Sequence, residues 1–447
     1  MNNSNSPTLK RSLPLKYVVF FGLAFMAPTT LFSTYGVAVQ STNGMITTAY
    51  IVAFIVMLFT AYSYVQMVKA FPNAGAAYTF TQKSLSPHIG FLVGWTIILD
   101  YMFSPMISAL LLGIAMKAYF PIIPMYVWII LFIVTVTIIN ILGIKVAAKL
   151  NMGLLFLQFG TLALFTIFSI KGLLNGQGAG TLFSILPFID SNINMQGFMS
   201  IIPILCFSFL GFDAVTTLSE ETKNPRKSIP RAIYLVTIIG GLYYFIGSYF
   251  LQLVWPDYQS FKAPEAAYME IAMYIGGNFL ISYMLAEGIM SSFSSAIASG
   301  TSASRILFAM GRERVLPAKI FGYLSPKYRT PVFNILIIGG VALSALFLSL
   351  TTAVSLINFG ALFAFTFVNL SVIAHYYFRK KQRSLMGTIR YLIIPLIGAS
   401  LTGFFWIKLD IYSLILGGTW FAIGFVYLLN LTKMFRQPPP ELAIEQA

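Results

Sequence analysis

Three carboxylic acids stand inside long apolar stretches of the sequence, at Asp100, Asp213 and Glu287. A carboxylate at the centre of a bilayer costs at least about 2.5 kcal/mol. No lysine or arginine lies deep in these stretches, so each acid must be protonated, hydrated or matched by a cation from outside. A carboxyl in such surroundings favours its neutral form, which makes proton exchange near neutral pH feasible. The acids therefore predict a pathway for cations, protons or both.

Each acid also has an ordinary structural explanation. Asp213 can cap the inner half of a broken helix. Asp100 can lie near an interface and hydrogen-bond a tyrosine such as Tyr101, while Glu287 can face a hydrated cleft. The sequence leaves both kinds of explanation open.

Aromatic and amide side chains lie near these acids in the sequence. Tyr101 adjoins Asp100, and Phe207 shortly precedes Asp213. Their rings can pack against the methylene chain of a substrate or against its ammonium group. Gln158 places an amide in a further apolar stretch, where it can hydrogen-bond a facing helix or only a neighbouring carbonyl.

The first apolar stretch contains a proline about midway, at Pro28. Proline has no amide hydrogen to donate and clashes with the preceding helical turn. Thr29, Thr30 and Ser33 follow it and supply hydroxyls that can satisfy freed backbone groups. The pattern predicts a broken membrane helix at Pro28.

The sixth apolar stretch contains Pro203, Gly211 and Asp213 and is interrupted in the same way. Irregular backbone at membrane depth is tolerated only where protein or a water-filled cavity covers it. Paired interruptions in two halves of a chain indicate the binding site of a secondary transporter. Because the two breaks are five helices apart, they suit an inverted five-plus-five repeat. The alternative is that Pro28 only kinks a structural helix.

The composition of the chain explains where these elements must lie. Of 447 residues, 58% are hydrophobic and only 9% charged, with a mean hydropathy of +0.82. Soluble domains carry roughly a quarter of their residues as charges, and disordered chains carry more. A membrane helix needs about 20 apolar residues. Twelve such runs are predicted, at 15–37, 45–68, 89–116, 123–144, 150–170, 196–219, 232–254, 274–304, 331–350, 354–377, 388–407 and 412–432.

The basic residues orient this map. The chain has 28 lysines and arginines against 13 acids, a formal charge of +15. With the N-terminus in the cytoplasm, 24 of the 28 fall at cytoplasmic positions, as positive-inside topology requires. This placement explains the charge without a nucleic-acid partner. It predicts cytoplasmic tails at 1–14 and 433–447, a ten-helix core at 15–377 with repeats at 15–170 and 196–377, and two further helices within 388–432.

Several functional classes are excluded or disfavoured. One cysteine and two histidines cannot form a disulfide framework or the usual metal cluster. No constellation of nucleophile, base or metal ligands indicates an enzyme, and no cofactor is expected. The long apolar runs exclude a β-barrel, and the chain shows no pore loop or charged ring typical of a channel. The oligomeric state stays open.

Three segments resemble signatures of the amino acid–polyamine–organocation superfamily. They are FSFLGFDAVTTLSEETKNPRKSIPRA at 207–232, FPNAGAAY at 71–78 and SRILFAMGRERVLP at 304–317. Within the superfamily the chain is most similar to bacterial putrescine importers, through stretches at 77–84, 94–101, 206–222 and 356–370. The resemblance covers nearly the whole chain.

The resemblance implies an all-α integral membrane protein of twelve helices, with a five-plus-five inverted repeat, discontinuous helices 1 and 6, and two C-terminal helices. It implies proton-coupled uptake in the bacterial inner membrane and a substrate between the first, third, sixth, eighth and tenth helices. Pro28, Thr29 and Thr30 occupy the unwound segment of the family. Phe207 falls where the family often has an aromatic gate, next to the Gly211 break.

The chain departs from the importer pattern at three positions. Ser33 stands where the importers have an acid, and Glu287 is an acid where they are uncharged. Gln158 stands where some proton-coupled relatives have a lysine, which leaves Asp100, Asp213 or Glu287 to carry the proton.

The interpretation is a secondary transporter that imports a small organic cation, putrescine or another polyamine, by proton symport. A proton-coupled amino acid permease or exchanger is the alternative, and a metabolite-sensing transceptor is a more remote one.

Overall fold

The computed structural model describes residues 11–72, 75–189, 194–348 and 350–439, which form an all-helical bundle. Its α-helices are α1 Leu15–Met26, α2 Thr30–Ser41, α3 Ile46–Ala70, α4 Ala76–Ser84, α5 Pro87–Tyr119, α6 Met125–Leu142, α7 Ile144–Leu174, α8 Met195–Phe207, α9 Pro225–Val254, α10 Ala267–Arg312, α11 Ala318–Phe321, α12 Val332–Ala342, α13 Leu350–Val372, α14 Leu385–Thr388, α15 Ile394–Ile407 and α16 Ile411–Leu431. Short 3₁₀ helices span Ala214–Leu218, Pro264–Ala266 and Leu343–Leu346, and π-helical turns span Ile373–Arg379 and Ile389–Ile393.

The helices differ in whether they are long enough to span a membrane. In the ranges given above, nine helical segments are long and apolar enough to cross a bilayer, and α1 with α2 makes a tenth if the bent pair is one span. Two shorter apolar segments, Met195–Phe207 and Val332–Leu346, lie where the sixth and ninth spans were predicted. The predicted tails fall partly outside the described residues, at 1–10 and 440–447.

The bundle has a buried centre and a lipid-facing periphery. In an apolar stretch of 18 residues, 83% of α5 is buried inside the protein, whereas only 17% of the corresponding stretch of α16 is buried. Helix α5 packs against α13, α10 and α4, and α3 packs against α9. Because α5 lies at the centre, the polar residues that it carries are enclosed by other helices rather than by lipid.

The predicted break at Pro28 is present. Helices α1 and α2 are bent by 42° relative to each other. Ala27 adopts a left-handed backbone with φ of 46°, and its N–H donates to the Leu23 carbonyl at 3.1 Å. The helix resumes as α2 at Thr30, whose N–H donates to the Ala27 carbonyl at 2.9 Å. The missing donor of proline is thus accommodated by a short turn, as its chemistry requires.

The second break differs in detail from the prediction. Pro203 stays inside α8, and the helix ends at Phe207. Residues 208–213 form turns, and the chain continues as a 3₁₀ helix, so the predicted span 196–219 is not a continuous α-helix. Gly211 has φ of 132°, and a Cβ there would lie 2.5 Å from the carbonyl oxygen of Gly22 in α1. Only glycine allows the two broken segments to approach this closely.

Helix α10 is longer than the predicted span 274–304. It covers 46 residues and contains a non-helical residue, Gly277, with φ of 59°. Its extension places Arg305 inside the helix and only 1% exposed. Arg305 directly follows the predicted span 274–304, and its charge is buried against other parts of the protein. The physical reason is that Glu221, in the turn after the 3₁₀ helix Ala214–Leu218, approaches Arg305 and neutralises the guanidinium.

Candidate functional site

Asp213 lies at the second break and is fully buried. Its Oδ1 accepts a hydrogen bond from the Gly211 N–H at 3.0 Å, and its Oδ2 accepts one from the Tyr101 hydroxyl of α5. The side chain does not cap the 3₁₀ helix that begins at Ala214. It instead binds the irregular turn and joins that turn to the central helix α5.

Asp100 precedes Tyr101 on α5 and is also fully buried. The Ser104 hydroxyl, one turn later, lies 3.3 Å from Asp100 Oδ1 and donates to the Asp100 carbonyl at 2.7 Å. In the described ranges Asp100 Oδ2 has no hydrogen-bond partner. Asp100 and Asp213 are close enough for their charges to interact. Because like charges repel, a cation between the two carboxylates would stabilise both.

Aromatic rings enclose this pair of acids, which we call the Asp100–Asp213 pair. The rings of Phe25 and Tyr101 meet edge to face with centroids 5.5 Å apart, which links α1 to α5. Tyr64 of α3 contacts Phe212 edge to face at 5.7 Å and interacts electrostatically with both acids. Within the described chain the buried Tyr64 hydroxyl has no partner. Sequence analysis missed Tyr64, because nothing in its local sequence distinguishes it from other tyrosines.

Glu287 forms a second polar cluster on α10, beside the first break. It is 5% exposed, and Thr29 lies within hydrogen-bonding reach of its carboxyl. The Thr29 hydroxyl also donates to Ser291 Oγ, one turn further along α10, at 2.9 Å. Glu287 Oε1 has no partner among the residues that the structure describes. The structure thus brings together the predicted Thr29 and Glu287 and adds Ser291, which sequence analysis missed.

Gln158 of α7 lies near the same cluster. Its backbone carbonyl accepts a hydrogen bond from the Tyr243 hydroxyl at 3.1 Å, and Tyr243 is in electrostatic range of Glu287. The Gln158 side chain is fully buried, and both of its amide atoms lack partners in the described part of the protein. A buried amide in this condition is expected to bind water or a ligand.

The remaining predicted site residues differ in burial and in their distance from the two acid clusters. Pro28 is buried at the break, and Thr30 Oγ1 is buried without a partner in the described ranges. Ser33 is exposed, and its hydroxyl donates to the Thr30 carbonyl at 3.0 Å within α2. Phe207 is half-buried at the last residue of α8. Ser33 therefore contacts neither acid cluster directly.

Two ion pairs join α10 to the turn that follows the 3₁₀ helix Ala214–Leu218. They lie at the end of the bundle where α1 begins. Arg305 Nε lies 3.1 Å from Glu221 Oε2, and Arg312 Nη2 lies 2.6 Å from Glu220 Oε1. Next to them, the Glu313 carboxyl accepts hydrogen bonds from Tyr78 and Gln82. Burial raises the pKa of Glu313, and these hydrogen bonds oppose the increase. The acids of this region are paired, unlike those at the breaks.

Together, the two polar clusters place buried carboxyl groups beside both helix breaks. No group of three or more His, Cys, Asp or Glu side chains that could hold a metal occurs among the described residues. Buried carboxylates, hydroxyls and aromatic rings converge at two broken helices, at the centre of an apolar bundle. This combination defines a multi-pass membrane transporter.

The chain belongs to the amino acid permease family, whose model matches residues 17–433. It is 42% identical over 440 residues to the low-affinity putrescine importer PlaP of Escherichia coli K12, covering 98% of this chain and 97% of the relative. A probable low-affinity putrescine importer PlaP of Klebsiella pneumoniae is 43% identical over 192 residues, 43% of this chain and 98% of that protein. The branched-chain amino acid permease BcaP of Bacillus subtilis is 25% identical, over 88% of this chain and 86% of the relative.

Proposed function

We propose that this protein imports putrescine, or a closely related polyamine, by proton symport. The observation that carries the proposal is the enclosed Asp100–Asp213 pair, which has no lysine or arginine partner among the described residues. The similarity to putrescine importers over nearly the full chain supports the choice of substrate.

In this proposal the Asp100–Asp213 pair holds one ammonium group of the substrate. The carboxylates supply charge, and the Tyr101 hydroxyl orients Asp213. Phe25 offers an aromatic surface to the methylene chain, and Phe207 covers the substrate from the end of α8. Thr29, Thr30 and Ser33 line the turn after Pro28, and Gly211 allows close approach of the two breaks.

Glu287 is the third acid, and we assign to it either the second ammonium group or the coupled proton. Its unpaired Oε1 and its burial suit both roles. Of the two, we favour the proton, because Gln158 and Tyr243 form a polar surrounding that is separate from Asp213. Asp100, Asp213 and Gln158 remain candidates for the same pathway.

The proposed architecture is twelve spans in the bacterial inner membrane, with both termini in the cytoplasm. The ten long segments plus Met195–Phe207 and Val332–Leu346 make up the twelve. The distribution of lysine and arginine supports this orientation. The inverted repeat is supported by the corresponding breaks after α1 and after α8, five predicted spans apart.

Amino acid transport is the second candidate, because relatives such as BcaP are amino acid permeases. An amino acid would place its carboxylate on backbone amides of the first break and its ammonium on carbonyls. Purified protein in liposomes with an imposed proton gradient decides between the two. We expect uptake of labelled putrescine that collapses when the gradient is removed. Uptake of neutral amino acids without any putrescine transport would overturn the proposal.

A further inference from the structure

One face of α7 is buried along its length and carries two amide side chains, Asn151 and Gln158. Seven residues separate them, so they lie on the same side of the helix about 10 Å apart. Both are fully buried, and in the described chain none of their four amide atoms has a hydrogen-bond partner. Buried polar atoms that lack protein partners are normally satisfied by water. The α7 face is therefore expected to be hydrated at two levels.

The same face begins at Ile144, seven residues before Asn151, in the wall of a cleft of about 490 Å³. Glu221 and Ser12 also line this cleft, and Ser12 shortly precedes α1. The cleft therefore lies at the end of the bundle where α1 begins. The proposed orientation puts that end in the cytoplasm. Other lining residues include Lys145, Lys327 and Arg329.

Near the middle of α7, at Gln158, the buried face reaches the surroundings of Glu287. Tyr243 connects the two, because it hydrogen-bonds the Gln158 carbonyl and interacts with Glu287. Among the described residues, Tyr243 faces Glu287 from α9, Tyr283 lies one turn earlier on α10, and Thr29 faces it from the first break. No lysine or arginine of the described chain influences the Glu287 carboxyl.

We propose that the buried face of α7 is the route by which Glu287 exchanges its proton with the cytoplasm. Asn151 is the polar positioning residue for water between Gln158 and the cleft. The Glu287 carboxyl releases its proton to water beside Gln158 and becomes a carboxylate, and the proton leaves along water past Asn151. No other bond changes. This inference rests on the proposed proton-coupled import and identifies the path that the coupling uses.

Cysteine labelling tests the route without any substrate. The chain has a single native cysteine, Cys206, which is buried, so Cys206→Ala supplies a background free of thiols. Asn151→Cys and Ala148→Cys are introduced on the α7 face, and a small membrane-impermeant thiol reagent is added to inside-out vesicles. Ala148 is 2% exposed, and its replacement by cysteine is a small change that keeps the test valid if Asn151→Cys fails to fold.

Two controls are matched to these positions on the same helix. Ser169 is fully buried on the same face but towards the opposite end, and Phe156 is 64% exposed on the lipid-facing side. Because only a hydrated thiol ionises and reacts, we expect cysteines at 148 and 151 to be labelled at least about tenfold faster than those at 156 and 169. Equal rates at all four positions would overturn the route.

An uptake assay under an imposed proton gradient then tests whether the route carries protons. In liposomes, Asn151→Leu should reduce the stimulation of putrescine uptake by an imposed proton gradient about tenfold, since a hydrated proton relay is interrupted. Undiminished stimulation would contradict proton transfer past Asn151. If the unmodified protein moves no putrescine, the proposed substrate fails, while the labelling rates still decide whether the route exists.

Discussion

Arg305 and Glu221 form a bidentate ion pair that is almost completely buried, with N–O distances of 3.1 and 3.2 Å. Arg305 Nη1 also donates to the Thr301 carbonyl and to Ser304 Oγ. The Glu221 carbonyl accepts hydrogen bonds from the N–H groups of residues 12 and 13. Glu221 thus joins two elements: its carbonyl holds the segment before α1, and its carboxylate holds α10.

We expect Glu221→Gln to destabilise the folded protein by about 3–5 kcal/mol, because the Arg305 guanidinium would be left buried without its counter-charge. The loss would be measured as a lower midpoint of thermal unfolding in detergent. Glu220→Gln is the matched control, since the Glu220–Arg312 pair is 16–19% exposed and solvent can partly screen the charge left on Arg312, so a smaller loss is expected. Equal losses in the two variants would contradict the role of burial.

The close approach of Gly211, in the second break, to helix α1 predicts that Gly211→Ala is poorly tolerated. A Cβ at position 211 would meet the Gly22 carbonyl at 2.5 Å, and the φ of 132° is unfavourable for alanine. We expect a strain of about 1–3 kcal/mol or more and a lower yield of folded protein in size-exclusion chromatography. Gly340→Ala in α12 meets no atom within 4 Å and should be neutral or slightly stabilising. Indistinguishable yields would show that the breaks do not need this contact.

The Asp100–Asp213 pair predicts that Asp213→Asn abolishes putrescine uptake while leaving expression intact. The amide keeps the shape of the side chain but removes the charge that is proposed to hold the ammonium group. Asp410→Asn is a matched control, because Asp410 caps α16 by accepting from the Ser413 N–H at 2.9 Å. Normal uptake by Asp213→Asn in liposomes would remove Asp213 from the site.

Tyr101→Phe tests whether substrate binding depends on the hydrogen bond from Tyr101 to Asp213 or only on the packing of the Tyr101 ring. Phenylalanine keeps the edge-to-face contact with Phe25 but cannot donate to Asp213. We expect a rise in the KM for putrescine of roughly tenfold, which corresponds to loss of one hydrogen bond to a charged group. Uptake kinetics in liposomes measure it. A KM equal to that of the unmodified protein would mean that the substrate does not depend on how Asp213 is oriented.

Glu287→Gln tests the proposed proton carrier. A glutamine retains the contact with Thr29 but cannot release a proton, so we expect uptake that no longer responds to an imposed pH gradient. Glu270→Gln is a suitable control, because Glu270 lies at the start of α10, where its Oε1 accepts from backbone N–H groups at 262 and 263. Uptake by Glu287→Gln that still follows the gradient would assign the proton to Asp100 or Asp213.

Much of the membrane topology is encoded locally. Apolar runs of about 20 residues identify spans because the bilayer thickness sets the length of a helix. Pro28 lacks a backbone donor and lies at the first break, where Ala27 adopts a left-handed backbone. The local sequence does not give the exact position of the second break, because Pro203 remains helical and α8 ends only at Phe207.

The positions of Asp100, Asp213 and Glu287 within apolar spans were thus determined by the sequence alone, since a charge in an apolar run is visible in one dimension. Their partners were decided by the tertiary structure. Tyr64, Ser291 and Asn151 lie on helices whose rotation about their own axes sets which side chains face the centre. Arg305 is buried only because Glu221 meets it from a distant segment. Side-chain burial and pairing depend on such contacts between remote parts of the chain, and composition and spacing do not contain them.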